Sequence, residues 1–330
     1  MKLNKNTYAK IILIAFLCVL LCTAFAVGTT QPFKQYGNYG NGGHANRFTD
    51  DNSTEGAEAG SDSWIPFSNK SKAVDAQSSS QTLPATELSS ATIDPASIRN
   101  VTINWAEGSV EVYPVKDAAL DGKILIREYT IGGSARLPQM NVSDGDGMLN
   151  IDYNAGISSF LFGCSLSSKH LVVEIPVEAF NTLLSFEVNG ASGQYFIRGV
   201  DAESFNLHLA SGQMNIDGVT AKSLVVDVAS GRLSLSGVFQ NVESSLASGQ
   251  IQMECLEECP QRASFSTMSG RCAIFIPHDS DFIAQVEKMS GSFTCGFPAM
   301  QRDGTYQCGE GTNAMDISIM SGSFTLEPLD

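Results

Sequence analysis

The chain has 330 residues, enough for one large domain or two ordinary ones, and its hydrophobic content of 43% allows a sizeable core. Its formal net charge is −15, with 35 acidic against 20 basic side chains, and no cluster of lysines and arginines interrupts the acidic composition. Because an acidic surface repels a phosphate backbone, we expect no nucleic-acid partner.

The first 27 residues have the pattern of an export signal. Three lysines precede an uncharged apolar run over residues 11–27, and Ala24-Phe25-Ala26 matches a signal cleavage site. The run of 17 residues also reaches the lower limit for a membrane-spanning helix, so an uncleaved anchor is the alternative. In either case the basic end stays inside, and we expect the rest of the chain to be extracytoplasmic, either membrane-anchored by its N-terminus or secreted.

Residues 28–97 are predicted to be a disordered linker. The segment is rich in glycine, asparagine, serine and acidic residues and has almost no apolar periodicity. Such a composition does not bury enough surface to offset the entropy lost on ordering. A flexible tether of this length would hold a folded domain clear of a membrane.

From residue 98 onward apolar and polar residues alternate, which is typical of half-buried β-strands. Seven Ser-Gly pairs recur there, and the spacings between their glycines are 19, 19, 18, 21, 21 and 31 residues. Apolar residues stand two and four positions after each glycine, as Met214 and Ile216 do after Gly212. The pairs are Ser192-Gly193, Ser211-Gly212, Ser230-Gly231, Ser248-Gly249, Ser269-Gly270, Ser290-Gly291 and Ser321-Gly322.

This pattern predicts the fold of residues 98–330. Alternation kept in register across seven copies indicates strands with a common inward face. Every Ser-Gly pair falls at the same phase of the repeat, as in stacked parallel coils, whereas an antiparallel sandwich reverses direction at each hairpin. The sequence therefore predicts an all-β domain, a parallel β-solenoid with coils of roughly 19–21 residues. The Ser-Gly pairs are predicted to be its structural turns, with glycine supplying a positive φ or a close backbone approach and serine offering its hydroxyl to a neighbouring turn.

The longest interval between the glycines contains an insertion, and its loop over residues 297–313 has two interpretations. Loops at the edge of a solenoid often carry function, and Met300, Arg302 and Tyr306 are residue types found at protein interfaces. Terminal coils also need caps, so the loop equally fits the role of covering one end of the stack.

Six cysteines lie beyond the signal segment, in a region where export would permit disulfides. Cys295 and Cys308 flank the insertion, so the sequence predicts a disulfide at its base. Cys272 falls in an inward column and is predicted to be a small buried hydrophobe. Cys255 and Cys259 form a second candidate pair around a short loop. There is no Cys-x-x-Cys motif and the four histidines stand far apart, so we expect no metal site.

The sequence predicts no catalytic residues and no cofactor. Residues 190–193 fall short of a nucleophile elbow, and seven equivalent serines are better explained as corners. Asp144–Gly147 reads as a hairpin turn, because other residue types occupy the positions that a calcium loop needs. The remaining enzyme hypothesis is polysaccharide cleavage by outward carboxylates that line up across the coils. These carboxylates are Glu187, Asp227, Glu243, Glu287 and Asp316.

Residues 98–330 share two features with a known family. Their Ser-Gly turns are followed by alternating strands, and Ile175-Pro176 and Ile276-Pro277 form breaks before a new coil. This region resembles the bacterial "putative adhesin" family of surface domains of unknown function. The resemblance implies a β-solenoid on the outside of the cell, frequently behind an N-terminal membrane segment, and it carries no catalytic residues. We therefore expect a non-enzymatic cell-surface binding module whose partner is a glycan or protein of the cell surface or envelope. The alternatives are an envelope-associated structural or regulatory module and, third, a β-helix polysaccharide-degrading enzyme.

Overall fold

The computed structural model covers most of the repeat region and a short segment before it. The residues that it describes are 85–116, 121–131, 137–154, 168–180 and 183–329. The predicted signal segment and residues 28–84 of the predicted linker lie outside the described residues, as does Cys164. Within the described ranges the chain is all-β, as predicted, with 21 strands and two short helical turns.

The strands of the described ranges follow one another closely along the chain. The first ten are β1 (Ala85–Ile93), β2 (Asn100–Trp105), β3 (Ser109–Val115), β4 (Ile124–Ile131), β5 (Asn141–Gly145), β6 (Met148–Asp152), β7 (Ser168–Pro176), β8 (Ser185–Gly190), β9 (Gln194–Arg198) and β10 (Asp201–Leu209). The next eleven are β11 (Gln213–Val228), β12 (Arg232–Leu246), β13 (Gln250–Cys255), β14 (Arg262–Thr267), β15 (Arg271–Pro277), β16 (Phe282–Lys288), β17 (Ser292–Cys295), β18 (Met300–Arg302), β19 (Thr305–Cys308), β20 (Asn313–Ile319) and β21 (Ser323–Leu329). A 3-10 turn spans Pro95–Ser97 and a single α-helical turn, α1, spans Val177–Phe180.

The folded domain begins earlier than the sequence predicts. β1 pairs antiparallel with β4 over eight residue pairs, and its Leu88 and Ile93 are buried. The boundary predicted at residue 98 is therefore wrong, and residues 85–97 belong to the domain rather than to a disordered linker. The strand is rich in small and hydroxyl side chains, so it is weakly marked in the sequence, and its conformation depends on the pairing with β4.

Each repeat forms one coil, and the coils stack so that their strands make two long faces that meet at the Ser-Gly pairs. We name the strands that precede the pairs the leading face and those that follow them the trailing face. Within each face, neighbouring strands run parallel. In spatial order the leading face comprises β6, β2, β8, β10, the C-terminal part of β11, the C-terminal part of β12, β14, β20 and β16. The trailing face comprises β7, β3, β9, the N-terminal part of β11, the N-terminal part of β12, β13, β15, β21 and β17.

The spatial order of the coils differs from their chain order at both ends. β20 and β21 insert between the coil of β14 and β15 and the coil of β16 and β17. In the same way β2 and β3 lie between β6 and β7 on one side and β8 and β9 on the other. The chain therefore passes to the end of the stack and returns before its last coil. This return path accounts for a last interval of 31 residues between glycines, where the others are 18–21.

The apolar columns predicted from the alternation form the core. Met214 lies in register between Tyr195 and Leu233, and all three are buried. The prediction is confirmed in every coil but that of β17. There Phe293 and Cys295 are half-buried because, among the described strands, no further parallel strand follows β17 in its face. In spatial order the first column is Tyr195, Met214, Leu233, Ile251, Cys272, Phe324 and Phe293. The second column is Ile197, Ile216, Leu235, Met253, Ile274, Leu326 and Cys295.

Antiparallel strands close both ends of the stack. β1, β4 and β5 lie at one end, and at the other β19 pairs with the edge of β16 and with β18. The insertion is therefore a β-hairpin for much of its length, and it turns at Asp303-Gly304, where both residues have positive φ (48° and 82°). Asp146-Gly147 turns β5 into β6 in the same way, so the hairpin predicted there is confirmed (φ 52° and 78°). A hairpin that covers a strand edge favours the capping interpretation of the insertion.

The N-terminal end is organised around a buried ion pair that sequence reasoning missed. Lys169 Nζ lies 2.9 Å from Glu128 Oε1, and the two side chains are 3% and 0% exposed. Glu128 also accepts hydrogen bonds from Ser89 Oγ and the Met140 amide, and Lys169 donates to the carbonyl of Pro138. Because each charge is paired and hydrogen-bonded, the pair can be kept in an apolar interior.

Candidate functional site

The Ser-Gly corners stack into a continuous ladder. At Gly212 an added Cβ would clash with the carbonyl oxygen of Gly193 in the neighbouring coil, and φ is +98°. The same holds along the ladder: at all seven glycines a Cβ would lie no more than 2.9 Å from the carbonyl oxygen of the next corner glycine. Positive φ occurs at Gly193, Gly212 and Gly249 but not at the other four. Close backbone approach is therefore the requirement that all seven positions share.

The corner serines contribute hydrogen bonds between coils. Ser269 Oγ donates to the carbonyl of Ala247 at 3.2 Å, and Ser321 Oγ donates to the carbonyl of Met268 at 3.1 Å. Ser290 Oγ donates to the carbonyl of Met320 at 3.1 Å. Each of these hydroxyls thus links its turn to the turn of the adjacent coil, and these bonds stabilise the edge formed by the corners.

A shallow groove of about 1080 Å³ runs along this edge, because the glycines leave no side chains there. It extends from the coil of Gly193 to that of Gly291 and is lined by the corner residues and by the residue after each glycine. We name these following residues the groove column. In spatial order they are Gln194, Gln213, Arg232, Gln250, Arg271, Ser323 and Ser292. The groove thus presents amides, hydroxyls and two guanidinium groups at the spacing of the strands, about 4.8 Å.

Among the residues that the structure describes, no carboxylate lines the groove, although the whole chain carries a net charge of −15. The next outward column of the trailing face is also without acids across the same coils. Its members are Phe196, Asn215, Ser234, Gln252, Ala273, Thr325 and Thr294. Arg232 and Arg271 are exposed, and in the described part of the chain neither guanidinium makes an ion pair or a hydrogen bond. Among the described residues the groove is therefore locally positive.

An apolar row flanks one end of the groove. The residue before the corner serine is alanine in the coils of Gly193 to Gly249 and methionine in the remaining three. Met268, Met320 and Met289 stand in adjacent coils and are 53%, 50% and 82% exposed. Sequence reasoning missed this methionine row, and the change from Ala-Ser-Gly to Met-Ser-Gly was the signal that could have revealed it. Exposed methionines of this kind form adaptable contact surfaces.

The outward carboxylates of the enzyme hypothesis lie on the leading face, and the structure does not bring all five together. Glu187 is separated from Glu243 by the strands of Asn206 and Val225. Asp227 accepts a hydrogen bond from His208, with 3.0 Å between Nδ1 and Oδ2. That bond raises the pKa of His208 above its ordinary 6.5 despite the opposing effect of burial.

Glu243 and Asp316 do line a second groove, of about 440 Å³, together with Arg262. Ser264 stands between the two carboxylates in register, so they are two strands apart. Both are exposed, whereas a general acid is normally kept protonated at neutral pH by burial. No group of three histidine, cysteine, aspartate or glutamate side chains within the described ranges could hold a metal ion.

All five described cysteines are free thiols. The disulfide predicted between Cys295 and Cys308 is therefore not formed in the structure, and it stays a prediction for the oxidised protein. Both residues are half-buried, and burial raises the pKa of the Cys295 thiol, with a further contribution from Cys308 nearby. Cys255 and Cys259 are buried, and burial raises the pKa of each thiol to about 12. Cys272 is buried in its inward column, as predicted.

These observations define an all-β domain of stacked coils with a long polar groove at its corners. The chain belongs to the family described as Toastrack DUF4097, whose sequence model matches residues 70–327. The family resemblance drawn from the Ser-Gly turns and Ile-Pro breaks is confirmed by this match. In the structure each Ile-Pro pair ends a strand, at Pro176 in β7 and at Pro277 in β15.

Several solved structures resemble the chain at low identity. A putative cell adhesion protein from Clostridium sporogenes is 12% identical, with a TM-score of 0.37, over 74% of this chain and 100% of that chain. A putative adhesin from Bacteroides fragilis is 11% identical, with a TM-score of 0.35, over 74% of this chain and 97% of that chain. A putative lipid binding protein from Parabacteroides distasonis is 14% identical, with a TM-score of 0.39, over 73% of this chain and 96% of that chain. No curated protein matches the sequence.

Proposed function

We propose that the chain is a non-enzymatic binding module, a parallel β-solenoid displayed outside the membrane, that holds an extended ligand along the Ser-Gly groove. The observation that carries this proposal is the continuity of the groove across seven coils, with a polar side chain at the same position in each. A surface that repeats at a fixed interval suits a ligand that also repeats, such as a glycan chain or an extended segment of another surface protein.

The rigidity of the corners supports binding without a large entropic cost. The groove column belongs to paired strands, and the corner turns are tied together by backbone and serine hydrogen bonds. A preorganised surface loses little conformational freedom when a ligand binds. Glutamine amides and serine hydroxyls both donate and accept, which suits the hydroxyl groups of sugars. The methionine row would contact the apolar C–H faces of the same ligand.

An extracytoplasmic location is part of the proposal. It is supported by the basic and apolar N-terminal segment, predicted to be a signal or an anchor, which lies outside the described residues. The abundance of acidic side chains agrees with a domain that must stay soluble. Within the described ranges no helix is long and apolar enough to span a membrane.

We assign the hairpin over β18 and β19 to capping rather than to ligand binding. β19 covers the edge of β16, and Tyr306 packs on Phe293 with 4.8 Å between ring centroids. Phe297, just before the hairpin, packs edge-on against Phe282 at 5.2 Å. Through these contacts the insertion covers the exposed edge and the half-buried side chains of the last coil.

Polysaccharide cleavage is the second candidate function, and one observation favours it: Glu243, Asp316 and Arg262 share the groove of the leading face. Paired carboxylates can hydrolyse a glycosidic bond when one of them acts as an acid. Incubation of the full chain with a polysaccharide panel, followed by assays for reducing and unsaturated ends, distinguishes the two functions. Products that disappear in the Glu243→Gln variant would establish the enzyme.

The proposed binding is tested with the purified full chain on a glycan array and on cell-surface preparations. Replacing Gln213 and Gln250 together with alanine should abolish or strongly weaken retention without changing the melting temperature, because both side chains line the groove. A matched control replaces Gln240 and Gln261, two exposed glutamines that do not line the groove, and should bind like the parent. Equal binding by both double variants would contradict the assignment of the groove.

A further inference from the structure

We infer that the ligand of the Ser-Gly groove is an acidic polysaccharide, and that Arg232 and Arg271 bind its anionic groups. The inference rests on the proposed function and narrows it, since it assigns a chemical class to the ligand and separate roles to the groove side chains. The arginines would select for charge, and the amide and hydroxyl side chains between and beyond them would bind sugar hydroxyls.

The two arginines occupy equivalent positions two coils apart. Arg232 stands opposite Gln250, and Gln250 stands opposite Arg271, in consecutive parallel strands of the trailing face. Two strand spacings place their backbones roughly 9.6 Å apart. Both side chains are exposed, and in the part of the chain that the structure describes both guanidinium groups are without partners. A guanidinium is permanently charged and can bind a carboxylate or sulfate with two hydrogen bonds.

Few carboxylates lie near these charges. On the leading face the outward acid five positions before Arg232 is Asp227, and it is paired with His208. No acid lines the groove, and none stands in the next outward column from Phe196 to Thr294. The nearest acids of this face are those of the third column, such as Asp217 and Glu254. They follow the groove column by four residues, or roughly 13 Å along a strand. This distance exceeds the Debye length of roughly 8 Å at physiological ionic strength, so these acids attract the arginines only weakly.

The spacings favour an acidic glycan over other polyanions. An extended pyranose chain advances by roughly one strand spacing per ring, so in a glycan with an acid on every ring, or on every second ring, an acid can meet each of the two arginines. In an extended acidic peptide the side chains on one face repeat at roughly 6.6 Å, which does not match 9.6 Å. A nucleic acid would bring a dense row of phosphates against a protein of net charge −15 with only two groove cations.

The exchange of arginine for glutamine gives a clean test. Glutamine already occupies the same column in the coils of Gln194, Gln213 and Gln250, so Arg232→Gln and Arg271→Gln should fold normally. The control is Arg198→Gln, because Arg198 is an exposed arginine at the end of β9 that lines neither groove. The probes are polygalacturonate for carboxylates, dextran sulfate for sulfates, dextran as the neutral glycan, poly-glutamate and a single-stranded oligonucleotide.

We expect the full chain to bind one or both acidic glycans more tightly than dextran, with an affinity that falls as salt is added. Each groove substitution should weaken that binding roughly 10-fold, as expected for the loss of a hydrogen-bonded charge, and the double variant by more. Arg198→Gln should bind like the parent, and the melting temperatures should agree. Polygalacturonate and dextran sulfate distinguish carboxylate from sulfate as the source of charge.

Three results would overturn the inference. Equal affinity for dextran and the acidic glycans, unchanged in the arginine variants but lost in Gln213→Ala with Gln250→Ala, would leave the proposed function intact and remove the charge selectivity. Equal weakening by Arg198→Gln would reduce the effect to net charge. Tighter binding of poly-glutamate or the oligonucleotide would assign a different class of ligand. If no glycan or surface preparation binds at all, the proposed function fails as well.

Discussion

Single residues of the inward columns carry the stability of the fold. Ile216 is 3% exposed and lies between Ile197 and Leu235 of the adjacent coils. Ile216→Asp would bury a carboxyl group without a partner, so we expect it to lower the free energy of unfolding by about 3–5 kcal/mol. Asn215→Asp, on the opposite side of the same strand, is the control and should change little. Urea denaturation measures both, and an Ile216→Asp variant with the same free energy of unfolding as the parent would contradict the columns.

Two glycines with positive φ separate the effect of backbone strain on stability from the effect of close packing between coils. Gly212 has positive φ and a neighbouring carbonyl in the place of a Cβ, whereas Gly218 has φ +64° and open space around the same position. Gly218→Ala should therefore cost about 1 kcal/mol, from backbone strain alone. Gly212→Ala should cost roughly 3 kcal/mol, because strain and the clash between coils add. Equal melting temperatures for the two variants would show that the coils do not approach closely at the corner.

The hydrogen bond between His208 and Asp227 predicts a pH dependence. The bond raises the pKa of His208 in the folded state, so the folded protein holds this proton more tightly than the unfolded chain. Its contribution is fully present below pH 6.5 and is lost as the pH rises through the raised pKa. Because both side chains are about half exposed, solvent screening should keep the effect below about 1 kcal/mol.

The measurement compares the parent with His208→Gln by urea denaturation at pH 5.5 and at pH 8.5. The parent should have the larger stability advantage at the lower pH. An advantage that grows with pH would mean that the neutral imidazole, rather than the charged form, is the stabilising one.

Among the larger elements, the hairpin of β18 and β19 should stabilise the last coil. Deletion of residues 298–309 removes the strand that covers β16 and the contact of Tyr306 with Phe293. We expect a lower melting temperature and association through the exposed strand edge, visible by size-exclusion chromatography. Glycan binding per folded molecule should be retained. A stable monomer that has lost binding would instead assign the hairpin to the ligand site.

The strands and their inward faces could be predicted from the sequence, because a period of two repeated seven times in register is a strong local signal. The stacking order could not. The insertion of β20 and β21 before the coil of β16 and β17 depends on packing between coils whose inward residues are equally apolar, so the sequence does not distinguish their order. The pair of Glu128 and Lys169 was missed for a related reason, since its partners lie 41 residues apart and join only in the folded end.

The groove was partly visible in the sequence. The polar residues after each Ser-Gly pair mark its position, and Arg232 and Arg271 stand among them. Its positive character was not visible, because it depends on where the acids are absent in space. The coil register places Asp217 and Glu254 away from the groove and the carboxylates of the enzyme hypothesis on the other face.

At the scale of the whole molecule, the chain is strongly acidic, but the fold keeps acidic side chains away from the corner edge of the described coils. A net charge of −15 favours solubility and disfavours indiscriminate binding of polyanions. Within the described part of the chain, the groove without carboxylates is the place where we propose that an anionic chain of the right spacing is held. Stacked coils make such a separation possible, since each coil adds one residue to every column.

Isothermal titration calorimetry of the full chain with polygalacturonate, and with dextran as the neutral partner, is the sharpest test of binding along the groove without turnover. We expect heats that return to the baseline after each injection of polygalacturonate and saturate, and an isotherm that is lost when Arg232 and Arg271 are both replaced by glutamine. Heat that continues after the injections would reveal turnover and contradict a binding module. An isotherm that is the same in this double variant and in Gln213→Ala with Gln250→Ala would contradict binding in the groove.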